Sequence, residues 1–235
     1  MEIGFRIFGQ IAKWLFVVSL PLLLISASIA GWFNSFPLYN YGFTEYQVSQ
    51  ATGLPAAELE RAARGLISYF NSSDEYISIQ VTNNQGRTFE LFTTEEKEHF
   101  KDVKGLVRLD YNLLIGTGIY VAVYAGLCLA WQRKEHWHRL GSGLLIGSGI
   151  TLAGMVALVV ASLVDFNQIF LLFHQISFSN DFWSTPGYML LLFPGDFWFD
   201  AVLTVLVSVV VGAFILGGIG GYMMWHYHPQ HLRRY

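Results

Sequence analysis

The segment FTTEEKEHFKDVKGLVRLDYNLLIGTGIYVAVYAGLCLAW, residues 92–131, joins a polar helical pattern to an apolar one without a break. Its polar half begins with a capping-box pattern, because Thr93 is followed three residues later by Glu96. Its apolar half, from Tyr111 onward, is long enough to cross a bilayer, which needs about 20 residues. The segment therefore predicts a helix that runs from a small polar domain into a membrane.

Three further apolar runs predict that the chain crosses the membrane four times. The composition agrees, since 53% of the 235 residues are hydrophobic and only 13% are charged. The predicted transmembrane helices cover residues 12–32, 111–131, 141–164 and 197–225. The first run ends near a Ser28-Ile29-Ala30 sequence that resembles a signal-peptide cleavage site, but its length favours a retained anchor.

The distribution of basic residues predicts which side of the membrane each loop occupies. Among the short segments that flank the apolar runs, the N-terminal flank, the loop 132–140 and the tail 226–235 carry lysine and arginine, whereas the segment 165–196 has neither. The positive-inside rule places these three parts in the cytoplasm. The two larger segments, residues 33–110 and 165–196, are then extracytoplasmic.

The two extracytoplasmic segments have different patterns. In the first, Pro55 opens an amphipathic helix that ends near Phe70. Two alternating runs flank the turn 83–86 and predict a β-hairpin. The second segment is too short and too interrupted to cross the membrane twice, which favours interfacial helices. The predicted fold is a membrane α-helical bundle of four transmembrane helices, with a small extracytoplasmic α+β domain and a second interfacial helical loop.

Two of the seven histidines, His99 and His174, lie in the extracytoplasmic segments. At helical spacing, Glu95 and Asp102 fall on the face of His99, and carboxylates beside an imidazole favour acid–base chemistry. His174 is the single titratable residue in a run of Phe, Leu and Ile, where burial favours a neutral ring that accepts a proton. Asp181 is the carboxylate that follows it. The two histidines are therefore the candidate catalytic residues.

A stripe of basic residues occupies the opposite face of the helix that carries His99. It consists of Lys97, Lys101, Lys104 and Arg108. We expect this basic stripe to be solvated and to rest on phospholipid headgroups. Nothing in the sequence indicates nucleic-acid binding. Cys128, the single cysteine, lies inside an apolar run, and we expect it to pack there rather than to act as a nucleophile.

The residues alone leave three roles open for the two histidines. They are structural, or they bind a metal with nearby acids, or they carry out acid–base catalysis at the interface. No HExxH or other strong ligand spacing favours a metal. Ser177 could pair with His174, but no Gly-x-Ser-x-Gly elbow is present. The alternatives to an acid–base enzyme are thus a non-enzymatic membrane protein that binds a lipid or protein partner, and a metal-dependent interfacial hydrolase.

Each extracytoplasmic segment contains one motif with a histidine. The first is FTxExxxHxxDVK at residues 92–104. The second is FHxxxF at residues 173–178, followed by Trp183 and by FPxxF at residues 193–197. Together they resemble the motifs of the lipoprotein intramolecular transacylases, a family of bacterial four-span membrane enzymes. Two positions depart from the family pattern, since Phe100 replaces an expected methionine and Ser177 replaces an expected aromatic residue.

The resemblance implies a reaction, a partner and a location. An acyl chain would move from the sn-2 glyceryl ester to the α-amine of a lipoprotein's N-terminal diacylglyceryl-cysteine, giving the lyso form on the outer face of the bacterial cytoplasmic membrane. His99 and His174 match the motif histidines and would inherit the acid–base roles. The expected supporting residues are Glu95, Asp102, Lys101 and Asp181. No metal and no cofactor is expected, and the partners are the diacylated lipoprotein N-terminus and membrane phospholipid.

Overall fold

The protein is described here by a computed structural model that covers residues 2–131 and 134–227. Helices account for most of it, and the strands form one two-stranded sheet. The elements follow in the order α1 (Glu2–Phe33), α2 (Phe36–Glu45), α3 (Val48–Thr52), α4 (Ala56–Asn71), β1 (Gln80–Thr82), β2 (Thr88–Glu90), α5 (Thr94–Ala130), α6 (Lys134–Ser177), a 3₁₀ turn (Phe182–Ser184), α7 (Tyr188–Leu192) and α8 (Gly195–His226).

Four of these helices, α1, α5, α6 and α8, are long and apolar enough to cross a membrane. Helix α5 has 37 residues and α6 has 44. At about 1.5 Å per residue, both are longer than a hydrocarbon core of about 30 Å. Helix α6 is interrupted at Asp165, where φ is −159° and ψ is 90°. The predicted fold class, a helical membrane bundle with a small α+β part, is confirmed.

The chain divides into two compact units, and the first contains most of the apolar helical residues. This helical unit consists of Met1–Ser28, Tyr111–Val160 and Val205–Tyr235. Its core includes Cys128, which is buried as predicted. A Cβ atom built on Gly220 would lie 2.7 Å from the carbonyl oxygen of Gly141, so α6 and α8 approach each other through glycine. Close approach at small residues is typical of helices packed in lipid.

The second unit, here called the polar unit, comprises Ile29–Asp110 and Ala161–Thr204. The predicted hairpin is present, with Gln80 opposite Glu90 and Thr82 opposite Thr88. Helix α4 buries an apolar face of Leu59, Ala62, Ala63, Leu66, Tyr69 and Phe70, as its amphipathic pattern predicts. The hairpin leads directly into α5. The polar unit therefore holds the first turns of α5 and the last turns of α6 in one packed body.

The connection from α6 to α8 is mostly irregular. Helix α6 continues past the break at Asp165 as far as Ser177, and α7 has five residues. The hydroxyls of Tyr41 and Tyr46 both donate to Oδ2 of Asp200, at 2.7 Å each. These bonds join the α2 region to the beginning of α8 inside the polar unit.

Candidate active site

The first turn of α5 is built by the predicted capping box. The Thr93 amide donates to Oε2 of Glu96 at 2.8 Å, and the Glu96 amide donates to Oγ1 of Thr93 at 3.3 Å. Three residues later, His99 lies one turn into the helix. The cap therefore determines where the helix begins and how the His99 side chain is presented.

Glu96 also connects α5 to the segment that precedes α8. Its side chain is fully buried, and its Oε1 accepts a 2.6 Å hydrogen bond from the Met189 amide. A Cβ atom at Gly187 would collide with the same carboxylate. Because a buried carboxylate needs donors to offset its desolvation, the two backbone amides explain how this charge is accommodated.

His99 and His174 lie next to each other in the polar unit. Their ring centroids are 6.2 Å apart and the ring planes are inclined by 25°. Only 6% of His99 and 7% of His174 is exposed. The first turns of α5 and the end of α6 thus bring together the two histidines that the sequence singled out.

Aromatic rings surround the histidine pair. The Phe178 ring lies 4.8 Å from that of His99 and 5.5 Å from that of His174. The rings of Phe170 and Trp183 lie 4.1 Å and 4.7 Å from His174. Phe173 completes this aromatic shell at 5.2 Å from His174. The shell limits the access of water to both imidazoles.

The hydrogen bond of His174 determines its tautomer. Its Nδ1 lies 2.7 Å from the Phe170 carbonyl oxygen. Because a carbonyl oxygen can only accept, Nδ1 carries the proton, and Nε2 of the neutral ring has the free lone pair. The Phe170 carbonyl would also stabilise the ring after protonation.

Among the residues that the structure describes, Nδ1 of His99 has no comparable partner. Its Nδ1 is buried and makes no hydrogen bond within residues 2–131 and 134–227. Leaving a buried polar atom unpaired costs about 1–3 kcal/mol, so such atoms in native proteins require a specific reason. A bound substrate group that pairs with this nitrogen would provide one.

Both imidazoles have lowered pKa values. Burial, with a smaller contribution from the nearby His174, lowers the pKa of His99 from 6.5 to about 4, and the charge of Asp102 opposes this effect. Burial also lowers the pKa of His174, against the opposing hydrogen bond to the Phe170 carbonyl. Both histidines lie outside the segments predicted to cross the membrane, and the lowered pKa values favour the neutral form of each ring. Neutral imidazoles can accept and donate protons, as general acid–base catalysis requires.

Comparison with known proteins identifies the family of this chain. A family model described as lipoprotein intramolecular transacylase Lit matches residues 14–198, which include both histidines. The chain belongs to the lipoprotein intramolecular transacylase family. It is accordingly an enzyme and a multi-pass membrane protein. No curated protein matches the sequence.

Solved structures of the transacylase Lit from Bacillus cereus share the fold. One is 19% identical, covers 92% of this chain and 96% of its own, and superposes with a TM-score of 0.78. Two variants of that protein, with one histidine replaced by arginine or by alanine, are each 18% identical. Each covers 96% of this chain, and they cover 96% and 98% of their own chains, with TM-scores of 0.73 and 0.75.

The supporting residues expected from the sequence occupy different surroundings. Glu95 is exposed, whereas its neighbour Glu96 is buried, because the capping box turns Glu96 inward to the Thr93 and Met189 amides. Asp181 is exposed, and its backbone carbonyl accepts from Ser184 at the 3₁₀ turn. Glu95 and Asp181, which the sequence analysis placed near the histidines, are thus exposed, whereas both histidines are buried.

The other two supporting residues have partners of their own. Oδ2 of Asp102 accepts a 2.9 Å hydrogen bond from Asn180, and the charge of Asp102 acts on His99. Nζ of Lys101 donates to Glu75 at 2.6 Å and to the Tyr76 hydroxyl at 3.1 Å. Asp102 therefore affects the site through its charge, whereas Lys101 is engaged with the loop that follows α4.

The expectation of a solvated basic stripe was wrong for Lys104. Only 3% of this residue is exposed, and its Nζ donates to the Asp74 carbonyl at 2.6 Å and lies 4.0 Å above the Tyr69 ring. The loop after α4 folds over this part of α5, so the lysine becomes a tertiary contact. Helical spacing shows which face a residue occupies but not what covers that face.

Within the described ranges 2–131 and 134–227, no group of three or more His, Cys, Asp or Glu residues is arranged to hold a metal ion. Sequence reasoning did not identify the tertiary roles of Glu96, Phe170, Asn180 and Gly187. The capping-box pattern singled out Glu96, but only as a local feature. Its bond to Met189 links positions far apart in the chain, and no local pattern indicates it.

Proposed function

We propose that this protein moves an acyl chain from the sn-2 glyceryl ester to the α-amine of the N-terminal diacylglyceryl-cysteine of a bacterial lipoprotein. The observation that carries the proposal is the buried pair of histidines inside an aromatic shell. Membership of the transacylase family supports the same reaction. The substitution of a histidine in two of the related structures also fits histidine catalysis.

The reaction needs one proton to move between two atoms of the same substrate. The amine nitrogen forms a bond to the sn-2 acyl carbonyl carbon, and the bond between that carbon and the glyceryl oxygen breaks. The nitrogen loses a proton and the departing glyceryl oxygen gains one. Neither water nor an external acyl donor enters the balance, and the product is an N-acyl, S-monoacylglyceryl cysteine.

The histidine pair is suited to this proton transfer. A neutral imidazole can take the proton from the attacking nitrogen and return it to the leaving oxygen. Nε2 is the acceptor atom of His174, because Nδ1 is held by the Phe170 carbonyl. The unpaired Nδ1 of His99 is available to a substrate group. His99 and His174 are the catalytic residues of the proposal.

The aromatic shell would favour transfer over hydrolysis. Water competes with the amine for the ester carbonyl, and rings packed against both imidazoles reduce its access. Since donor and acceptor belong to one molecule, the site mainly has to fold the glyceryl group back toward the amine. Such positioning alone can contribute about 7–11 kcal/mol to lowering a barrier.

The proposed location of the reaction is the outer face of the bacterial cytoplasmic membrane. The basic residues that flank the predicted transmembrane helices favour an extracytoplasmic position for residues 33–110 and 165–196. The acyl chains of the substrate would then stay in the membrane while its amine enters the polar unit. Membrane phospholipid would surround the apolar helices.

The test is the N-terminal peptide of a lipoprotein from bacteria that lack other N-acylation and express this chain. Mass spectrometry should detect the N-acyl lyso form with the wild type and none with His99→Gln or His174→Gln. His136→Gln is the matched control, because His136 is outside the polar unit and should leave the product unchanged. A free amine with the wild type would reject the proposed activity, and lyso product from either of the first two variants would remove that histidine from the mechanism.

A further inference from the structure

A polar cleft of about 550 Å³ adjoins the histidine pair within the polar unit. It is lined by the loop after α4, by the first turns of α5 and by the residues that follow His174. Its volume falls within the range of ligand pockets, about 300–1,000 Å³. The chemistry assigned to His99 and His174 does not use this cleft.

Two residues belong both to the cleft and to the surroundings of the histidines. Phe178 lines the cleft, and its ring contacts both imidazoles. Asp102 lines it as well, and its charge acts on His99 from one helical turn away. Asn180 holds Oδ2 of Asp102. A ligand in the cleft would therefore lie against two residues that also act on the histidines.

The charges that line the cleft are balanced. Three basic side chains, Lys101, Lys104 and Arg108, face three acidic ones, Asp74, Glu75 and Asp102. Lys101 is paired with Glu75, and Lys104 is held by the Asp74 carbonyl. A phosphate group would find no surplus positive charge here, and an acyl chain would meet a wall that is part polar and part apolar. A peptide, with amide donors, carbonyl acceptors and a terminal ammonium, matches such a mixed lining.

We propose that this cleft binds the peptide that follows the lipid-modified cysteine of the substrate. The inference rests on the proposed function and adds a subsite to it. The α-amine and the first peptide carbonyl are attached to the same Cα of the cysteine. A site that holds the amine at the histidine pair must therefore accept the peptide within a few ångströms, and the cleft is a polar space that shares Asp102 and Phe178 with that site.

Gly105 allows the cleft to be filled without a change of charge. It is exposed in α5, it lines the cleft, and a Cβ atom built on it meets nothing within 4 Å. Gly105→Trp should occupy the cleft, and Gly105→Ala is the matched control that leaves it open. Ser73→Trp fills the cleft from a different segment and serves if Gly105→Trp does not fold.

The experiment measures binding of two ether-linked analogues to the purified full chain in lipid nanodiscs. Both carry a dialkylglyceryl-cysteine with a free amine, one capped as a methylamide and the other extended by four uncharged polar residues. Ether bonds cannot transfer an acyl chain, so binding is read independently of turnover. The wild type should bind the extended analogue at least about tenfold more tightly, equivalent to about 1.4 kcal/mol. Gly105→Trp should remove this difference, and Gly105→Ala should keep it.

Three results would overturn the assignment. The first is equal affinity of the wild type for both analogues, and the second is an equal loss for both on Gly105→Trp. The third is displacement of the capped analogue by anionic phospholipid in the wild type but not in Gly105→Trp, which would assign the cleft to a phosphate headgroup. Failure of the proposed function has a separate signature, because the ester-linked counterparts would then give no N-acyl product even where the binding difference is present.

Discussion

Glu96 is expected to hold the active site together, and replacing it should destabilise the polar unit measurably. Its carboxylate accepts from the Thr93 amide at 2.8 Å and from the Met189 amide at 2.6 Å. In Glu96→Ala both amides lose their acceptor. A buried donor left unpaired costs about 1–3 kcal/mol, so the two together should cost about 2–6 kcal/mol.

Glu96→Gln should have about half this effect. The side-chain amide keeps one acceptor oxygen, but its NH₂ group cannot accept from the second backbone donor. For a chain of this size, Tm changes by about 2–4 °C for each kcal/mol. The Tm of Glu96→Ala should therefore fall by at least about 4 °C, and that of Glu96→Gln by at least about 2 °C.

The assay is thermal unfolding of the purified variants in detergent, followed by intrinsic tryptophan fluorescence. Glu95→Ala is the matched control, because Glu95 is the adjacent residue in the same turn and is exposed. Exposed substitutions of this kind usually change stability by less than about 0.5 kcal/mol. The reasoning would be refuted by a Glu96→Ala protein that melts within about 1 °C of the wild type, or by an equal loss in Glu95→Ala.

Three further outcomes are expected. The wild-type Tm should fall as the pH drops from about 6.5 toward 4, because His99 takes up a proton in the unfolded chain before it does so in the folded protein, where its pKa is about 4. His99→Gln should reduce the slope of unfolding free energy against pH by up to one proton, which is about 1.4 kcal/mol per pH unit. An unchanged slope in His99→Gln would contradict the lowered pKa. Asp200→Ala should lower the Tm more than Asp200→Asn, since the amide oxygen of asparagine can still accept from the Tyr46 hydroxyl. An equal fall in Tm for the two variants would show that the hydrogen bond from Tyr46 does not stabilise the protein. Gly220→Leu should give aggregated protein on size-exclusion chromatography, because its Cβ would lie 2.7 Å from a backbone oxygen of the facing helix. Gly218→Leu should elute like the wild type, because a Cβ built on Gly218 meets nothing within 4 Å.

The parts of the fold that follow from local sequence were predictable. Apolar runs of sufficient length predicted the four long helices, since hydrocarbon excludes unpaired backbone groups. The capping box at Thr93 and the turn at residues 83–86 involve neighbours in the chain, and both are present. Helical spacing did not distinguish Glu95 from Glu96, because both positions lie near the face of His99, and the contact with Met189 determines which one is buried.

The amino-acid sequence by itself determined the helical membrane fold, the hairpin and the choice of His99 and His174 as candidates. Hydropathy, caps and turns act between residues that are close in the chain. The apolar run around His174 already predicted that burial lowers the pKa of that imidazole. Only the tertiary structure decided that the two imidazoles lie 6.2 Å apart within one aromatic shell, and that burial lowers the pKa of His99 as well. Those properties depend on how α5, the end of α6 and the segment around Met189 pack together. These segments are far apart in the chain, and hydropathy or helical spacing within one segment does not indicate which other segment packs against it.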